Sequence, residues 1–137
     1  DVEWFIDDRI GETDAGEVCN YKLDDFLKEY KDFYASNDNN YPSGESHQEL
    51  NKRVIQWLTD LTSKVAKNSK VLLVAHAGPI SCILQMVENI DMTKFPAYKQ
   101  SNASLTIVEI PDNKLKDAQL IAFSKSAVEA SGLGSVK

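Results

Sequence analysis

The run Val71-Leu72-Leu73-Val74-Ala75, followed at once by His76-Ala77-Gly78-Pro79, restricts this chain more than any other stretch. An unbroken apolar segment with β-branched members, bounded by turn formers, predicts a strand buried on both faces, as in a parallel sheet. A histidine at its end, ahead of a tight turn, predicts a strand-turn-helix unit. Pro79 suits the first helical position, and Ile80, Ile83, Leu84 and Val87 supply one inner helix face. In sheets built from such units, ligands sit beyond the carboxyl ends of the strands, which is where His76 stands.

The rest of the chain fits a mixed α/β domain. Val2, Trp4 and Ile6 alternate with other residues in the manner of a short strand that enters an acidic loop from Asp7 to Gly16. Leu23, Phe26, Leu27, Tyr30 and Phe33 recur at helical spacing, and the Asn, Asp, Ser and Pro of residues 36–44 predict a surface loop. Ser46-His47-Gln48-Glu49 has the form of a capping box, so a helix should start there, with Leu50, Val54, Trp57, Leu58, Leu61 and Val65 on its apolar face. His47 reads as an exposed residue of that helix, and Glu45 and Arg53 as a pair across its start. Leu105–Ile110 and Leu120–Phe123 predict a hairpin joined through Pro111-Asp112-Asn113-Lys114. Residues 1–123 are expected to belong to one domain, and residues 124–137, small and polar, to a flexible tail.

Charge and cysteine usage exclude several classes. A formal net charge of -6, with 15 scattered basic residues, opposes nucleic-acid binding, which needs clustered Lys and Arg. Cys19 and Cys82 stand in no metal or redox spacing, so a reducing, cytoplasmic setting is expected. No signal peptide or membrane anchor is indicated. His47 and His76 are the only histidines, no Gly-x-Ser-x-Gly elbow occurs, and no phosphate-binding P-loop is present. Metalloenzyme and serine hydrolase are therefore poor readings.

At the end of the apolar run, unpaired amides of the following helix could hold an anion near Ala77 and Gly78 while the His76 imidazole adds a donor. Taken alone, a histidine in this place is more often a structural hydrogen bonder. The neighbouring motifs change that balance. Tyr41-Pro42-Ser43-Gly44-Glu45-Ser46, then Glu49, Arg53 and Trp57, then residues 71–78, resemble the second half of the histidine phosphatase (phosphoglycerate-mutase-like) superfamily. Asp8-Arg9-Ile10-Gly11-Glu12 with Gly16 resembles that family's loop, and Asn102-Ala103-Ser104 its Asn-x-Ser element.

The resemblance implies a three-layer fold whose mixed, mostly parallel sheet is flanked by helices, here without its N-terminal strand-helix portion. It implies hydrolysis of a phosphorylated small molecule through a phosphohistidine, without metal or other cofactor. Glu12 matches the general acid, kept protonated beside a phosphate dianion by like charge. His76 matches a phosphate-pocket residue, and Ala77, Gly78 and Asn102 match substrate-binding positions.

The family's Arg-His-Gly, which carries the nucleophile, and its Ser-x-Leu-x-Arg-Ala stretch are absent from these residues. The expectations are therefore a fragment of a longer protein, a chain completed by a second chain or by homo-oligomerisation, or a non-catalytic phosphate-binding relative. The missing Met at position 1 favours the fragment. In that fold the absent first strand lies mid-sheet, so the flanks of residues 71–75 are expected to be uncovered in this chain alone, which invites association. Ala15 before Gly16, Asn20 downstream and Ala77 after His76 depart from the family's usual residues. No Arg lies between Glu12 and Gly44, so a small-metabolite phosphatase is preferred to a mutase, the phosphotransferase (isomerase) alternative.

Overall fold

A computed structural model describes residues 2–131. Its α-helices are α1 (Leu23–Glu29), α2 (His47–Lys64) and α3 (Ala77–Val87), followed by strands β1 (Leu105–Glu109) and β2 (Gln119–Lys125) and a short helix α4 (Ala127–Ser131). The chain is thus a mixed α/β structure. No helix among the described residues is long and apolar enough to cross a membrane.

Helix α2 begins where the capping box predicts. The Ser46 hydroxyl accepts from the Glu49 amide at 3.1 Å, and the Glu49 carboxylate accepts from the Ser46 amide at 2.8 Å. Its inner face, Leu50, Val54, Trp57 and Leu58, packs against Cys82, Ile83 and Val87 of α3, and Val108 and Leu120 of the hairpin close over the same core. Leu50 and Val54 have no exposed surface. Burial of this stripe, at ~25 cal/mol per Å² of apolar surface, is the main force joining the two helices.

Helix α3 starts at Ala77 with His76 as its N-cap, two residues earlier than predicted, so Pro79 occupies the third helical position rather than the first. The third residue also has no intrahelical acceptor for its amide, and proline is tolerated there for the same reason. Along α3, buried Ser81 and Gln85 are satisfied by the segment beyond the helix. Gln85 Oε1 accepts from the Ala97 amide at 3.1 Å, its amide nitrogen donates to the Asp91 carbonyl, and Ser81 Oγ accepts from the Tyr98 amide. These bonds hold residues 91–98 against α3 on their way to the turn at Asn102.

The predicted hairpin forms, antiparallel, with Val108 opposite Leu120 and Ile107 opposite Ala122, and two 3₁₀ turns occupy the connection. Strand β2 extends to Lys125 and α4 follows, so the expected flexible tail begins with regular structure; residues 132–137 lie outside the described residues. The helix predicted over residues 23–33 stops at Glu29, because Tyr30 leaves helical backbone angles, and resumes as a 3₁₀ turn at Phe33–Ala35.

Two predicted strands differ from expectation. Residues 2–7 and 71–76 carry no strand pairing, and among the described residues the sheet consists of β1 and β2. Leu73 and Ala75 are partly buried, whereas Leu72 is 72% and Val74 73% exposed. The segment thus turns one set of side chains toward the helices and the other to solvent. Burial on both faces does not occur among the described residues: nothing covers the face that carries Leu72 and Val74, and no ladder partner lies beside either edge. Trp4, Phe5 and Ile6 are likewise exposed.

Residues 14–17 and 41–45 cross backbone against backbone. The Glu17 amide donates to the Pro42 carbonyl and the Glu45 amide to the Asp14 carbonyl. Gly16, at φ 51°, has the Pro42 oxygen 2.1 Å from where a Cβ would stand, and at Gly44 the Asp14 oxygen would be 2.3 Å away. Only glycine fits at either position.

Candidate active site

The loop that carries Glu12 is shaped by its own charges. The Asp7 carboxylate accepts from the Arg9 amide at 3.0 Å and caps a 3₁₀ turn over Asp8–Ile10, and the Arg9 guanidinium closes a salt bridge to the same carboxylate at 2.7 Å. Arg9 also reaches Asp60 on α2 at 2.6 Å. Hydrogen bonds from Arg9 hold both the Asp7 and the Asp60 carboxyl below the usual carboxylate range. Ile10 is partly buried against the main core and fixes the loop from the apolar side.

Arg53 joins this loop to α2. Its Nε and Nη2 meet the Glu45 carboxylate at 2.9 and 2.6 Å, its Nη1 donates to the carbonyls of Arg9 and Gly11 at 2.8 and 2.9 Å, and its Nη2 donates to the Glu12 carbonyl at 2.9 Å. The pair expected between Glu45 and Arg53 is therefore present, and it is extended by three carbonyls. The bidentate carboxylate raises the affinity of Arg53 for its proton. Glu45 also accepts from the Asp14 amide at 2.9 Å, so one carboxylate serves both sides of the loop.

From that anchored backbone the Glu12 side chain crosses to α3. Its Oε2 accepts from the Gly78 amide at 3.3 Å, and its Oε1 accepts from the Thr13 amide at 2.9 Å. Gly78 permits this approach, since a Cβ there would stand 2.2 Å from Glu12 Oε1. The helix start leaves the Ala77 and Gly78 amides without intrahelical acceptors, and a carboxylate is a natural partner for one of them. His76 is exposed, caps the helix with extended backbone and uses no side-chain hydrogen bond as a cap. Glu12 and the His76-Ala77-Gly78 turn, far apart in sequence, thus meet at one corner.

Asn102 is exposed in a turn, with Ala103 in left-handed conformation before β1. Nothing in the hydrogen-bond network of the described residues ties it to Glu12 or His76. The corner is open to solvent. A depression of about 590 Å³, lined by Asn40, Ser46, Gln48, Glu49, Lys52 and Gln56, includes neither Glu12 nor His76.

The expectation for His47 is corrected. The residue is buried, in edge or stacking contact with Phe33, Tyr34, Tyr41 and Phe95, and its Nε2 lies 3.5 Å from the Tyr41 hydroxyl. Burial lowers its pKa and raises that of Tyr41. Periodicity missed this because the rings that cover the imidazole come from the 33–41 loop and from Phe95, outside the helix. Cys82, behind the site in the core, has its thiol pushed up to about 12 by burial, whereas Cys19 is exposed.

Comparison with known proteins bears on the family and the fold. The chain is 27% identical over 118 residues to a Hydrogenobacter thermophilus protein named "Putative phosphoserine phosphatase 2", covering 82% of this chain and 57% of that protein. It is 29% identical over 107 residues to the Bacillus subtilis protein named "Uncharacterized phosphatase PhoE", covering 78% of this chain and 51% of that protein. The chain therefore spans about half the length of the curated relatives it matches. Its fold superposes on a mycobacterial glucosyl-3-phosphoglycerate phosphatase solved with inorganic phosphate, at TM-score 0.71 and 20% identity, over 88% of this chain and 64% of the other. A second structure, named mycobacterial hydrolase 1, gives TM-score 0.70 at 21% identity, over 88% of this chain and 63% of that one. With the family model matched over residues 1–120, the chain belongs to branch 1 of the histidine phosphatase superfamily.

Proposed function

We propose that this chain forms the C-terminal part of a metal-independent phosphomonoesterase domain whose nucleophilic histidine comes from outside the 137 residues. In this reading a histidine nitrogen attacks phosphorus and the ester P–O bond breaks. Glu12 gives its proton to the leaving oxygen, and the resulting carboxylate then takes a proton from the water that cleaves the P–N bond of the phosphohistidine. His76 and the Ala77 amide donate to the phosphoryl oxygens, and Gly78 and Asn102 complete the substrate side.

The observation that carries this reading is the contact of the Glu12 carboxylate with the Gly78 amide, in the first turn of the helix that His76 caps. A phosphate seated on the Ala77 amide would have a carboxyl group and an imidazole within reach. The unpaired segments 2–7 and 71–76, with their exposed apolar side chains, support completion of a mostly parallel, three-layer sheet by further strands, from an upstream segment or another copy. The phosphatase names of two relatives support a small phosphomonoester as substrate, phosphoserine among the first to try. A buried free thiol and an exposed one suit a reducing, cytoplasmic compartment.

The test is hydrolysis of p-nitrophenyl phosphate and phosphoserine by the protein that carries this segment together with its upstream coding sequence. Loss of a fixed oxyanion donor in His76→Ala should lower kcat on either substrate by ~10²-fold. Glu12→Gln should lower it by ~10²-fold or more on phosphoserine, whose leaving group needs a proton. Unchanged rates in both variants would remove this function, and a protein without any phosphatase activity would be the non-catalytic phosphate-binding relative.

A further inference from the structure

We infer that Arg53 is the positioning residue for the proton donor: its guanidinium sets the backbone at Glu12 so that the carboxyl reaches the start of α3. The inference rests on the reading of Glu12 as the donor. Arg53 projects from the second turn of α2, where neighbouring Leu50 and Val54 are fully buried. A guanidinium has five N–H donors in a rigid plane. Here every edge of that plane is used, by two Glu45 oxygens on one side and by the carbonyls of Arg9, Gly11 and Glu12 on the other.

The distribution of these bonds is what points to positioning. An arginine serving only the helix would be satisfied by Glu45. Three of its five bonds go instead to consecutive parts of the loop that ends at Glu12, including the carbonyl of Glu12 itself. The loop is held a second time by Arg9, which reaches Asp60 further along the same helix. With its main chain tied to α2 and its side chain accepting from the Gly78 amide of α3, Glu12 bridges the two core helices. Its carboxyl position is then inherited from the core and not from a free loop. Lysine cannot reproduce this, because an ammonium is a point charge with three donors and no planar fork.

The experiment uses the full-length protein, with Arg53→Lys, Glu12→Gln and the double variant, each assayed on p-nitrophenyl phosphate and on phosphoserine. A misplaced donor matters where the leaving group is poor. Arg53→Lys should therefore lose at least about tenfold more kcat on phosphoserine than on p-nitrophenyl phosphate, at little-changed KM, as Glu12→Gln does. The double variant should be no slower than Glu12→Gln alone. Equal losses on the two substrates, or losses that multiply in the double variant, would mean that Arg53 supports the fold only, and the inference is overturned. Hydrogen exchange reads the same claim without activity: amides of Ile10, Gly11 and Thr13 should exchange at least about tenfold faster in Arg53→Lys while those of α2 keep their protection. Unchanged loop exchange overturns the positioning role. Glu12→Gln without leaving-group dependence instead removes the donor assignment and leaves the exchange result to decide what Arg53 holds.

Discussion

Gly78→Ala separates the geometry of the site from the stability of the fold. A methyl group at this position would stand 2.2 Å from Glu12 Oε1 and 3.3 Å from its Cδ, and 3.2 Å from Leu50 Cδ2. Ordinary contact begins at 3.4 Å. The Leu50 contact needs only a slight shift of a side-chain end. The carboxylate is the group that must move, by about 1.2 Å, and, with Glu12 as the proposed proton donor, a displacement of that size costs ~10²-fold in rate. Ala is otherwise favoured over Gly in a helix by up to ~1 kcal/mol, which offsets the tighter packing. The melting temperature should therefore stay within about 8 °C of the parent while kcat on phosphoserine falls by ~10²-fold. The assay pairs thermal unfolding with steady-state kinetics of the full-length protein. Parental kcat in a folded Gly78→Ala protein would refute the reasoning, because it would show that the donor does not need its seat beside this amide.

Other consequences follow from the same structure. Leu50→Ala removes a side chain with no exposed surface and should cost ~2–5 kcal/mol in denaturant unfolding, with a smaller loss only if α2 and α3 close the cavity. His47 has its pKa lowered by burial, so the unfolded chain binds a proton more readily; the stability this contributes is present above the unfolded value near 6.5 and is lost as pH falls through the folded value. His47→Phe should accordingly flatten the decline of stability below pH ~6.5, and an unchanged slope would show that the ring is not desolvated. The 137-residue chain on its own should exchange the amides of residues 71–76 rapidly and self-associate in size-exclusion chromatography, since those residues have no ladder partner; a monomer with these amides protected would contradict that.

Much of the helical framework is legible in residue spacing, because its causes are local. Ser46 and Glu49 announce the start of α2 three residues apart, and Leu50, Val54 and Trp57 mark the face that it buries. The hairpin is legible from two β-rich runs on either side of Pro111 and Asp112. What escapes is set by distant partners. An apolar run such as residues 71–75 reports a need for cover but not what supplies it, and here its outer side chains meet solvent. His47 looks polar and exposed from its own helix, and the rings of Phe33, Tyr34, Tyr41 and Phe95 make it interior. The meeting of Glu12 with the turn after His76 follows from motif order, whereas the three carbonyls on Arg53 could not be read from residue types, since backbone acceptors leave no mark in a sequence.

The glycine crossing at positions 16 and 44 bears on how such a domain can vary. Everything between those two residues, including α1 and its aromatic cluster around Phe26 and Phe33, leaves and re-enters the domain through a single stitched neck. Glu12 lies before the neck and Arg53 after it, both braced on the core. Changes inside the excursion are limited by what it touches beyond the neck: Phe33, Tyr34 and Tyr41 cover His47 of α2, and the Gln48 amide donates to the Asn37 carbonyl. The excursion is thus fastened twice, by the glycine crossing and by its rings against α2, and a substitution at Gly16 or Gly44 releases only the first of these.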